Sequence, residues 1–200
     1  MYIYLLIYKI FSKKYLHILK GERTYIHSSS VVSSLKFLSN FIKINKIQFN
    51  KFVGSKPRIF ISSLDRYTKS EKSFIEIEIE NRNKFILYLE PSEHLITNIV
   101  PYSEKIENYN LENKNITFKI NKSLDIFENI IAGTKILCNE FLLSDERWIA
   151  ARISFKNFNL LKEDIEEISI DIKKVSQNVW VENKVFVNGE ELCNLLFKKG

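Results

Sequence analysis

The chain has 200 residues, 45% of them hydrophobic, with 30 Lys/Arg against 24 Asp/Glu and a formal net charge of +6. That is enough apolar material for one core, or two small ones, without covalent staples. Cys138 and Cys193 stand alone and the 5 glycines never pair, which excludes a disulfide framework, a Cys-rich zinc site and a Gly-rich phosphate loop.

Lys outnumbers Arg 24 to 6 and there are only 3 alanines, the stamp of an A/T-rich coding sequence. Charge is unevenly placed. Residues 1–60 hold 11 Lys/Arg and one acid, Glu22, while residues 61–200 hold 19 Lys/Arg and 23 Asp/Glu. An even spread would put roughly seven acids in the first segment. The asymmetry implies an anionic partner, either external or the acidic remainder of the same chain. Unpaired cysteines imply a reducing compartment, cytoplasmic or an organellar matrix.

In chain order, MYIYLLIYKIF reads as a buried strand. Its lysines follow the apolar run instead of preceding it, unlike a secretion signal, and the run is too short to span a bilayer. Residues 15–26 read as a hairpin turning at Gly21–Glu22. Ser28, Ser29 and Ser30 offer N-caps to a long helix over 31–53, with Gly54 as C-cap and Pro57 beyond. On that helix Leu35, Leu38, Phe41, Ile42, Phe49 and Phe52 share one face. Lys36, Asn40, Lys43, Lys46, Asn50 and Lys51 share the other, where no acid intervenes; they form the expected binding surface. Asn45 and Ile47 break the pattern and predict a kink or stop near 44.

Residues 58–64 read as a strand, and the polar 65–72 as a boundary between a basic 1–64 region and a β-rich 65–200 region. FIEIEIE at 74–80 alternates, so Ile75, Ile77 and Ile79 face inward and Glu76, Glu78 and Glu80 outward, with 84–90 as the returning strand. Carboxylates about 7 Å apart along one strand do not converge on a metal. Short strands are expected at 95–100 and 115–120. A helix over 123–132 is expected, capped by Ser123 and ended by Gly133. A strand pair follows at 134–143 and 147–155. Over 160–175 the spacing of Leu161, Ile165, Ile168, Ile172 and Val175 favours a helix over the competing alternation of Ile168, Ile170 and Ile172. Residues 179–187 read as a hairpin, and Asn188–Gly189 leads to a last helix at 190–198. The fold class is α+β: mainly antiparallel sheet, one long amphipathic N-terminal helix and short C-terminal helices.

Few residues suggest chemistry. His17, His27 and His94 are scattered, without metal-ligand spacing. His27-Ser28-Ser29 is a neighbour pair plus helix caps, not a triad. Asp171 followed by Glu182-Asn183-Lys184 has the order of a metal-dependent nuclease. Asp171 on a helix and Lys184 at a hairpin tip would not meet, and Glu112-Asn113-Lys114 shows how easily acid-x-Lys recurs. No cofactor or metal is expected. The composition predicts a non-enzymatic binding protein meeting an anionic macromolecule, nucleic acid or ribonucleoprotein, through its basic N-terminal region. An inhibitor or immunity-type protein is the alternative, a nuclease a distant one.

Overall fold

The computed structural model describes residues 18–20, 28–36, 42–50, 58–63, 73–79, 83–90, 98–100, 105–143, 147–177 and 179–200. They fall into two compact units, Met1–Ser103 and Glu104–Gly200. The expected N-terminal strand and the Gly21–Glu22 turn lie outside the described residues.

The first unit contains β1 (Ile18–Lys20), α1 (Ser28–Lys36), β2 (Ile42–Gln48), β3 (Arg58–Ser63), β4 (Ser73–Ile79), β5 (Asn83–Glu90) and β6 (Asn98–Val100). β1 and β6 pair in parallel. The others form antiparallel pairs in the order β3-β5-β4-β2. The expected 31–53 helix is therefore corrected: α1 ends at Lys36, and 42–48 is a strand. Ser28–Ser30 make the first turn of α1 instead of preceding it. The isoleucines decide the strand. β-branched residues favour a pleated surface, and the register on β4 shifts between Ile44 and Lys46. That bulge absorbs Asn45 and lets Ile44 and Ile47, three apart, both be buried. The pattern break seen in the sequence is this bulge. The β4–β5 hairpin forms where alternation placed it, with Ile75 buried and Glu76 half-buried.

The second unit contains β7 (Tyr109–Glu112), β8 (Asn115–Lys119), α2 (Ile126–Leu142), β9 (Trp148–Phe155), β10 (Glu167–Ser176), β11 (Trp180–Val187) and β12 (Glu190–Lys199). Its strands are antiparallel in the order β9-β12-β11-β10-β8-β7. One face is apolar save for Asn183, with Ile116, Ile170, Val185 and Leu195 wholly buried. The face of α2 bearing Phe127, Ile130, Ile131, Leu137 and Cys138 is buried too. At Gly133 the helix comes so near the sheet that a Cβ would run into the Phe118 ring. The second unit is thus an antiparallel sheet laid against one long helix.

Four further expectations change here. Gly133 does not end a helix: α2 continues for 17 residues, through the segment expected as a strand at 134–143. Close packing, not termination, is what the glycine serves. The 160–175 helix is instead a 3-10 turn, Phe158–Lys162, followed by β10. Ile168, Ile170 and Ile172 are all buried, so the two-residue period prevails. Residues 179–187 are one strand, not a hairpin. Asn188 and Gly189 both have positive φ, 47° and 83°, which suits a tight hairpin turn and not a helix start. The chain returns as β12, where a last helix was expected. Among the described residues no helix is long and apolar enough to cross a membrane.

Candidate functional site at the head of the central helix

Chemistry needs groups that titrate or polarise near an enclosed surface. On the inner face of the second unit the sheet offers few. Val181, Val185 and Val187 are apolar, and Asn183 is the buried polar exception. The carboxylates on that side belong to the start of α2. Asp125 is its N-cap, and its Oδ1 accepts from Phe127 N at 2.8 Å. Glu128 is buried, and its Oε2 accepts from Asp125 N at 2.9 Å. This reciprocal capping box satisfies helix N–H groups that lack intrahelical partners, and such a cap contributes about 1 kcal/mol.

Asn129 locks the approach. It is fully buried; its Oδ1 accepts from Asn121 N at 2.8 Å. Its Nδ2 donates to Asn121 O at 3.0 Å and Asp125 O at 3.1 Å. The loop from Asn121 to Asp125 is thereby fastened to the helix it leads into. Phe127, Phe155 and Phe158 close the apolar side, with the last two edge to face at 4.9 Å between centroids. Asp125 stays half-buried, so its carboxylate remains partly accessible, unlike that of Glu128.

Sequence reasoning missed Asp125 by giving the cap to Ser123. The available signal was Asp125-Ile-Phe-Glu128, an acid followed three residues later by Glu, ahead of an apolar run.

The predicted binding residues are not gathered on a helix. Lys36 ends α1, Lys43 and Lys46 lie on β2, and Asn50 lies beyond it, accepting from Gln48 Nε2 at 3.0 Å. Asn40 and Lys51 lie outside the described residues. The register sets Lys43 opposite Glu78 and Lys46 opposite Glu76, so each has an acid across the strand.

The Asp171 and Lys184 expectation is also corrected in its geometry. Asp171 is on β10, directly opposite Lys184 on β11, and Glu182 is opposite Lys174. They are strand residues on the sheet's outer face. Each is engaged within the protein: Asp171 Oδ1 accepts from Asn115 Nδ2 at 2.6 Å, Lys184 pairs with Glu191 at 3.7 Å, and Glu182 with Lys173 at 3.4 Å. Among the described residues no group of three or more His, Cys, Asp or Glu is placed to hold a metal.

No family model matches the chain, and no curated protein does. Solved structures do resemble it. A bifunctional dehydratase-cyclase domain from ambruticin biosynthesis aligns with a TM-score of 0.49 and 6% identity, over 88% of this chain and 82% of that one. A trans-AT polyketide synthase dehydratase domain from Brevibacillus brevis gives 0.46 and 5%, over 88% and 85%. An acyl-ACP thioesterase from Bacteroides thetaiotaomicron gives 0.39 and 12%, over 90% and 92%. Likeness at this level assigns no activity to the chain.

The non-enzymatic expectation is nevertheless corrected, and with it nucleic-acid or ribonucleoprotein binding and the inhibitor and nuclease alternatives. The long basic helix on which it stood is absent.

Proposed function

We propose that the chain is an enzyme with a hotdog-like fold acting on an acyl group carried as a thioester, with Asp125 as its acid–base group. The observation that carries the reading is the strand order of the second unit against α2, with a reachable carboxylate at the helix head. The activity class is fold-level analogy to dehydratase and thioesterase domains. The acid–base role comes from the position of Asp125 beside the apolar layer. A carboxylate there can take a proton from, or return one to, a bound acyl chain.

The test uses the purified full chain with N-acetylcysteamine thioesters of 3-hydroxyacyl and saturated acyl groups. Water loss is followed by mass and thiol release by a colorimetric reagent. Turnover of one class is expected, falling about 100-fold or more in Asp125→Asn. Asn caps a helix as well as Asp does, so that loss would not come from unfolding. Absence of turnover with both substrates would overturn the reading.

Two further points belong to this proposal. The compartment is cytoplasmic or otherwise reducing, supported by two free, buried cysteines. The excess charge of residues 1–60 supports a contact with an anionic partner, at Lys36, Lys43 and Lys46 among others.

A further inference from the structure

The outer face of the second unit's sheet carries two adjacent cross-strand rows. In the first, Ile149 stands opposite Lys198, and Lys198 opposite Trp180. In the second, Arg152 stands opposite Leu196, Leu196 opposite Glu182, and Glu182 opposite Lys174. Direct pairing puts the members of a row on one face; the rows are two residues apart on β11 and β12, and three apart on β9, where a register shift lets Ile149 and Arg152 share that face. All of these residues are half-buried or exposed. Trp180 keeps 38% of its surface exposed, whereas Trp148 is buried at 2%. The acid in the rows, Glu182, is already paired with Lys173.

We infer that this face docks on an anionic lipid surface. It is a broad strand surface with apolar side chains set between cations, which fits a planar partner better than a helix or peptide. Protein–protein interfaces are depleted in Lys, whereas Trp and Lys both favour the membrane–water boundary. Trp180, Leu196 and Ile149 meet the headgroup–acyl boundary while Arg152, Lys174 and Lys198 meet lipid phosphates and carboxylates. Each basic side chain near an anionic leaflet contributes about fivefold in partition. The sequence also places Asp145 and Glu146 between Leu143 and Arg147; the docking rows do not include them.

The experiment measures co-sedimentation of the full chain with phosphatidylcholine vesicles, with and without phosphatidylserine. Binding is expected only with phosphatidylserine and should fade as salt rises. Lys174→Glu with Lys198→Glu should weaken it more than tenfold, and Trp180→Ser should weaken it without changing its salt dependence. If the double reversal fails to fold, Lys174→Gln with Lys198→Gln replaces it, with a smaller loss expected. No binding to phosphatidylserine vesicles, or binding that survives both substitutions, overturns the inference. Capture by polyglutamate beads but not by vesicles also overturns it, assigning the face to an acidic protein.

Discussion

Burial pushes the Cys138 thiol from its ordinary 9.0 up to about 12. Cys193 is raised by burial and, secondarily, by Glu191. The thiolate is the reactive form, so neither side chain reacts at neutral pH. Iodoacetamide at pH 8 should leave both untouched in the folded chain and label both in denaturant, read by mass. The same shift has a sign for stability. Between pH 9 and 12 an unfolded chain loses its thiol protons while the folded one keeps them. Stability therefore holds below pH 9 and falls as pH rises through that window. Cys138→Ser should flatten the alkaline fall, measured by urea unfolding. Gly133 gives a second prediction. Alanine there would gain up to about 1 kcal/mol in helix propensity, but overpacking a tight core costs about 1–3 kcal/mol. The added Cβ would meet Phe118 and lie 3.3 Å from Ile170 Cδ1, both in buried residues. Gly133→Ala should lower the melting temperature, and an unchanged value would show that the ring can move aside.

At the level of elements, cross-strand charge is the testable quantity. Lys43→Glu with Lys46→Glu would place like charges opposite Glu78 and Glu76. A loss of about 0.2–1 kcal/mol per pair is expected, seen as a lower melting temperature. An unchanged melting temperature with lost binding to an anionic resin would instead favour an external partner. These strands also show what the sequence could reveal. FIEIEIE and its return were legible because alternation and turn residues agreed. The 42–48 strand was not, since Phe41, Ile42 and Phe49 fit a helical stripe and the break at Asn45 and Ile47 reads as a helix kink as readily as a strand bulge. Only pairing with β4 decides between them. Ile168, Ile170 and Ile172 posed the same ambiguity. The head of α2 was legible in its capping box, but its length was hidden by Gly133, which reads as a stop until Phe118 stands against it.

At the scale of the whole molecule, the two units differ in charge as well as in sequence. The second has its own long helix, six strands and a continuous buried face. A fragment of residues 104–200 is expected to fold by itself, with one cooperative thermal transition. A broad, non-cooperative melt would show that its core depends on the rest of the chain. Fold class was only partly legible at this scale. The sheet-rich character followed from composition and alternation. The position of the long helix did not, because helix and strand patterns overlap in a chain so rich in isoleucine.

The β11–β12 turn carries one more consequence, for chemical ageing. Asn–Gly pairs in open chains deamidate readily, because the glycine nitrogen can attack the asparagine amide. Here Asn188 Oδ1 accepts from Glu166 N at 3.0 Å, and its Nδ2 donates to Asp164 O at 2.8 Å. Both ends of the amide are held, so ring closure requires the turn to open. Conversion to aspartate would replace that donor with an anion facing a carbonyl. Deamidation at Asn188 should therefore be slow in the native chain and fast after unfolding, and its accumulation in stored protein would record how often this hairpin has come apart.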